Sequence, residues 1–145
     1  MEFAKNRKAF FDYEILDKYE AGIVLKGYEV KSIRNGRLNL KGGYVTLRDG
    51  EAWLTNIEIQ PYQMANQDVE NLKRKRKLLL NKREIAKLEH HSNTPGTTIV
   101  PLRMFLKGRT IKVQLGVCRG KKQHDKRNVI KNRDLDRELR RRLKN

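Results

Sequence analysis

Residues 111–117, IKVQLGV, place Ile111, Val113, Leu115 and Val117 on one side of an extended chain and Lys112 and Gln114 on the other. A two-residue period buries one face of a sheet and wets the other, and a helix of period 3.6 cannot satisfy it. Leu102, Met104 and Leu106 repeat the pattern against Arg103 and Lys107, with Lys107-Gly108 between the two runs as a hairpin turn. Tyr44 to Leu47 and Ala52 to Leu54 flank Asp49-Gly50, a pair suited to the positive φ angles of a tight hairpin. Tyr13 to Leu16 and Gly22 to Leu25 read as one or two further strands. The body of the chain is therefore expected to be mainly β.

Two short helices interrupt it. Asn81 stands three residues before Glu84, the spacing of a capping box, and predicts a helix running to about His90 with Ile85 and Leu88 inward. Tyr28 to Arg34 is the other, ended by Asn35-Gly36, where glycine fits a left-handed C-cap. Val30 and Ile33 would pack inward there, leaving Lys31 and Arg34 off the core face. Five or six short strands with two or three short helices suit a small closed or partly closed barrel of the oligonucleotide-binding type better than a parallel sheet, which needs longer alternating helices.

The 145 residues carry a net charge of +17, with pI near 10.3. Such a balance points to a polyanionic partner, and nucleic acid fits better than a membrane. The longest aliphatic block, Leu78-Leu79-Leu80, is far too short to cross a bilayer, and MEFAKNRKAF has no apolar core of a secretory signal, so a cytoplasmic protein is expected. Residues 1–118 hold 22 Lys+Arg against 13 Asp+Glu, and residues 119–145 hold 12 against 4. The expected division is a barrel domain over 1–118 and a basic C-terminal tail over 119–145, disordered alone and helical when bound.

Cysteine and histidine usage narrows the chemistry. One cysteine, Cys118, rules out an internal disulfide and a multi-cysteine zinc site, and its apolar setting favours an inert strand residue. His90-His91 with His124 lacks metal-ligand spacing, so no metal and no cofactor are expected. GKKQHDKR, residues 120–127, can be read as a catalytic His124–Asp125 pair for RNA hydrolysis or as a strip that grips nucleic acid. Adjacent residues do not orient one another as a packed dyad does, and Lys121, Lys122, Lys126 and Arg127 would depress the imidazole pKa, which favours the strip. Lys73 to Lys77 forms a second cluster, read as a phosphate-contacting stripe or a solvated loop, and strand alternation through it would turn half its charges to each side. Leu135, Leu139 and Leu143 recur on one face of a short arginine-rich helix, suited to folding on RNA or to docking on the barrel.

These segments also carry a resemblance. Asn6-Arg-Lys-Ala9, YEAGIVLKGYEVKSIRNGRLNL from Tyr19 to Leu40, GEAWL from Gly50, RKLLLNKREI from Arg76 and KVQLGVCRGKKQHDKR from Lys112 to Arg127 follow, in order, the pattern of the SsrA-binding (small protein B) family of bacteria. The resemblance implies an oligonucleotide-binding-type barrel that binds the tRNA-like domain of transfer-messenger RNA (tmRNA) and brings it to the A site of stalled ribosomes in trans-translation. It implies no catalysis by this chain; ribosome rescue then draws indirectly on elongation factor Tu and alanyl-tRNA synthetase. A monomer is expected.

Residue by residue, the resemblance implies RNA-binding roles for Asn6, Arg7, Glu20, Arg34 and Leu79, to which Lys31 is added because its helix leaves it off the core face. A glutamate suits an RNA site because it can accept hydrogen bonds from base amines and 2′-hydroxyls. Gly120, Lys121, Lys122, His124, Asp125, Lys126 and Arg127 match the family's decoding-centre motif, so the tail is expected against small-subunit ribosomal RNA and in the empty mRNA path. Residues 66–71, NQDVEN, depart from the family's pattern, and no contact is transferred to them.

Overall fold

The computed structural model describes residues 1–60 and 73–120. The atypical loop 66–71, the strip from Lys121 to Arg127 and the leucine-striped segment 134–143 lie outside the described residues. The chain runs β1 (Glu2–Lys5), α1 (Arg7–Asp12), β2 (Tyr13–Ile23), α2 (Gly27–Arg34), β3 (Leu38–Asn39), β4 (Tyr44–Arg48), β5 (Glu51–Thr55), β6 (Glu58–Ile59), β7 (Arg76–Leu79), α3 (Lys82–Ser92), β8 (Thr97–Lys107) and β9 (Thr110–Gly120). Seven strands form one antiparallel sheet in the order β1-β8-β9-β2-β7-β5-β4, and β3 pairs with β6 in a small second sheet.

The mainly β reading is borne out, with more strands than the five or six expected. The sheet curls until β4 packs against β8, although among the described residues no ladder joins those strands. Helix α3 packs on both β4 and β8, and its Leu88 enters the main core at that seam. A partly closed barrel results. The core inside it is built from alternate residues of the strands, with Ile111, Val113, Leu115 and Val117 all buried as their period requires.

Three details differ from the sequence reading. Tyr13–Ile23 is one strand, bulged where Ile15 and Asp17 shift register against β9. The β8–β9 turn is Gly108-Arg109, and Lys107 stays in the ladder opposite Thr110. Leu102 does not share a face with Met104. The register against β9 slips between Pro101 and Arg103, and a bulge of this kind inverts the side-chain alternation beyond it. Proline has no N–H to give the ladder, so the irregularity falls beside Pro101.

Leu102 therefore joins Ala9, Val100 and Cys118 in a smaller cluster on the sheet's outer surface, lined by Phe10, Tyr13 and Ile15. Helix α1, for which six residues gave no periodic signal, lies over it. Burial pushes the Cys118 thiol up to about 11, so it stays protonated and inert, as its apolar setting indicated. At the other hairpin, Asp49 (φ 54) and Gly50 (φ 74) both adopt the left-handed geometry that the pair predicted.

Candidate nucleic-acid interface

Helix α1 covers only part of the outer sheet surface. Beyond it, the pairings Arg103↔Gln114, Phe105↔Lys112, Glu20↔Gln114, Gly22↔Lys112, Gly22↔Leu79 and Trp53↔Lys77 put these side chains on one wet face. Glu20 is exposed there, and Lys107 Nζ donates to both its carboxylate oxygens at 3.3 and 3.0 Å. Leu79 is 54% exposed. Its seat is Gly22: a Cβ on that glycine would stand 3.2 Å from the Leu79 Cβ, so the leucine lies across bare backbone. Val24, also exposed, continues the apolar strip, its N–H donating to the Lys77 carbonyl at 2.9 Å.

The structure thus brings Glu20 and Leu79 onto one face, with Lys77, Arg103, Lys107 and Lys112 around them. Phosphates can draw Lys107 away from Glu20, leaving a carboxylate free to accept from a base amine or a 2′-hydroxyl. Leu79 and Val24 offer an apolar surface to a sugar or base.

Lys31 and Arg34 are exposed on α2, as expected. What holds that helix was missed in the sequence. Ile33 is fully buried, but Glu29, one turn earlier on the same side, is buried as well at 1% exposure. Its carboxylate accepts from Arg76 Nη2 at 2.6 Å and Nε at 3.1 Å through Oε2, and from Arg74 Nη2 at 2.5 Å and the Lys26 N–H at 2.9 Å through Oε1. Arg76, fully buried at the start of β7, also donates to the carbonyls of Ile57 and Arg74 at 3.2 and 2.8 Å. Burial alone would raise the Glu29 pKa, but the Lys26 N–H and the two guanidiniums outweigh it and hold the carboxyl below its ordinary value. The Lys73 to Lys77 cluster is corrected accordingly: Arg74 and Arg76 brace the fold, while Lys73 and Lys75 are exposed.

Asn6 sits at the β1–α1 junction, only 5% exposed. Its Oδ1 caps α1 by accepting from the Ala9 N–H at 3.1 Å, and its Nδ2 donates to the carbonyls of Pro101 at 3.0 Å and Leu40 at 3.3 Å. All its side-chain polar atoms are engaged within the protein. Arg7, the next residue, is exposed on the first turn. Nearby, Lys5 Nζ lies 4.9 Å from the Phe10 ring centroid and the Arg103 guanidinium 5.9 Å from it, so cations carry the edge of the sheet face towards α1. Among the described residues neither Asn6 nor Arg7 contacts Glu20.

Asn6→Ala is expected to lose about 2–3 kcal/mol, since it uncaps α1 and takes a donor from the buried carbonyls of Pro101 and Leu40, the second of which keeps the Gly43 N–H. Urea unfolding should show a lower midpoint at unchanged slope. Asn6→Asp should rescue little, because a carboxylate restores the cap but faces two carbonyl oxygens.

Gly120, the last residue of β9, is exposed and pairs with Tyr13, with open space where a Cβ would stand. His90 and His91 end α3 edge to face, their rings 5.9 Å apart. Among the described residues no three His, Cys, Asp or Glu groups gather as a metal site, and no helix is long and apolar enough to cross a membrane.

Comparison with known proteins matches residues 3–145 to the SmpB protein family. The SsrA-binding protein of Enterococcus hirae is 49% identical over 142 residues, covering 98% of this chain and 92% of the relative. Those of Lacticaseibacillus casei and Gloeothece citriformis are each 51% identical, over 141 and 140 residues, covering 97% and 96% of this chain and 90% of each relative. A solved structure described as "tmRNA-SmpB: a journey to the center of the bacterial ribosome" superposes with a TM-score of 0.71 at 43% identity, covering 96% of this chain and 98% of that one.

Proposed function

The chain belongs to the SmpB protein family, and on that premise we propose that its open sheet face binds the tRNA-like domain of transfer-messenger RNA and that its basic tail serves the ribosome. It is a non-enzymatic RNA-binding protein of trans-translation, delivering that RNA to stalled ribosomes. The observation that carries the reading of the face is the seat of Leu79. An exposed leucine laid over Gly22, two residues along β2 from an exposed glutamate and ringed by cations, suits RNA better than water.

Within this reading the site residues divide by what they touch. Glu20 and Leu79 meet sugar and base edges, while Arg7, Lys31 and Arg34 hold phosphates. Asn6 acts through the protein, fixing the turn from which Arg7 projects. Beyond Gly120, the segment Lys121, Lys122, His124, Asp125, Lys126 and Arg127 approaches the decoding centre, where an imidazole stacks on a base and the cations grip small-subunit ribosomal RNA. The chain works as a cytoplasmic monomer, with elongation factor Tu and alanyl-tRNA synthetase joined to it only through the shared RNA.

A competition titration tests the assignment. The purified protein should prefer a tRNA-like domain of transfer-messenger RNA over an unrelated tRNA or a duplex by tenfold or more. Equal affinity for all three would reduce it to a general basic RNA binder. Its log affinity should fall against log salt by about 0.9 for each duplex phosphate neutralised.

A further inference from the structure

The same sheet face extends past Leu79 to strands that none of the sequence-matched site residues occupies. Trp53 on β5 lies between Lys77 of β7 and Thr46 of β4, directly opposite both. Trp53 and Thr46, with Arg48, Asp49, Glu51 and Lys75, line an open pocket of about 370 Å³. Trp53 is half-buried, so part of the indole reaches solvent. Tryptophan on a strand needs no such opening for stability, and its remaining surface offers a flat aromatic platform.

The surrounding chemistry selects a ligand class. Glu51 is held by Lys77 at 2.8 Å, which fixes a carboxylate beside the indole without neutralising every acceptor position. Arg48 and Asp49 approach only to 4.0 Å and are 80% and 91% exposed, too loose an arrangement to keep Arg48 from a phosphate. Lys75 is exposed at the rim. Aromatic surface, a hydroxyl and the Glu51 carboxylate inside, with Arg48, Lys75 and Asp49 at the edge, match a base bearing amino groups and carrying its phosphate outward. A lipid or an acidic peptide would meet two carboxylates at Asp49 and Glu51 and is disfavoured by them.

We propose that this pocket takes one unpaired nucleotide of a bound RNA, the base stacked on Trp53 and the phosphate between Arg48 and Lys75. The proposal rests on the RNA-binding reading above. It adds a second contact point at the far side of the sheet from α1, so that the RNA is held across the width of the barrel.

Trp53 is the only tryptophan of the chain, so its fluorescence reports the pocket alone. The full-length protein is titrated with a tRNA-like domain RNA and, separately, with small ribosomal subunits, while labelled protein anisotropy follows binding independently. Saturation with at least one of them should quench the indole emission by half or more, and the quenching RNA is the one that supplies the nucleotide. Trp53→Phe should retain affinity for that RNA within about threefold and Trp53→Ala should lose about tenfold, the loss expected when one stacking platform is removed. Lys75→Ala, at an exposed position that does not endanger folding, should lower the salt slope by about 0.7–0.9. If both RNAs bind with the emission and the Lys75→Ala slope unchanged, the pocket assignment is wrong while the protein remains an RNA binder. If neither binds, both readings fall.

Discussion

Replacing Glu29 with alanine should cost about 3–5 kcal/mol of folding stability, a large share of the roughly 5–15 kcal/mol a domain of this size possesses. The carboxylate is buried against Arg76, itself fully buried, and removing it leaves a guanidinium in the interior beside a second arginine, Arg74, without the anion that both guanidiniums share. Arginine cannot relieve this by losing its proton. The helix that carries Lys31 and Arg34 is pinned at this point, so RNA affinity should fall with stability. Replacing both partners, Glu29→Leu with Arg76→Met, should recover most of the stability, because paired apolar groups no longer bury an uncompensated charge. Chemical denaturation of the single and double variants measures both effects. A small loss in the single variant would show that the cluster braces little.

The same carboxyl sets a pH dependence. Its folded pKa lies below the ordinary value of 4.5, so its contribution is complete above that value and is lost as pH falls from there through the folded pKa. Wild-type stability should therefore drop more steeply below about pH 4.5 than that of Glu29→Gln, which has no proton to gain at that position.

The strands were legible because water on one side and core on the other leave a two-residue signature that survives any ligand. Asp49-Gly50 was legible for a local reason, since few other pairs tolerate two positive φ angles in succession. What the sequence concealed were interactions satisfied at long range. Asn6 looks like a surface polar residue, and only the meeting of β1, β8 and the Leu40 turn shows its amide to be structural. Glu29 and Arg76 carried a signal that went unused: Glu29 is one helical turn from Ile33, and Arg76 is two strand residues from Leu78, so both charges had to point where the apolar neighbours point. Two opposite charges directed inward require one another. On the site, alternation placed Lys112 and Gln114 outward, but the open half of the face depends on where α1 lies, which its six residues do not encode as a period. The Leu79 seat required the β2–β7 register, and no local pattern fixes that pairing.

A chain ending at Arg119 should keep its affinity for the tRNA-like domain within a few-fold and lose rescue of stalled ribosomes almost entirely. Among the described residues both hydrophobic clusters are made by positions up to Cys118, and the Glu14–Arg119 ion pair at 2.6 Å closes the β2–β9 end, so the thermal midpoint should barely move. The open face with Glu20, Leu79 and its cations is untouched by the deletion. The missing residues remove a large fraction of the positive charge, since 120–145 carry 11 of the 34 lysines and arginines, and that charge is assigned to ribosomal rather than transfer-messenger RNA. Equal salt slopes for the full and shortened chains on the isolated tRNA-like domain would place the tail off that RNA, because each phosphate it neutralised would add about 0.9 to the slope. Peptide tagging on ribosomes stalled on truncated message then reads the second function separately. Loss of RNA binding on truncation would mean that barrel and tail form one continuous site, and retention of rescue would mean that the barrel alone accommodates the RNA in the A site.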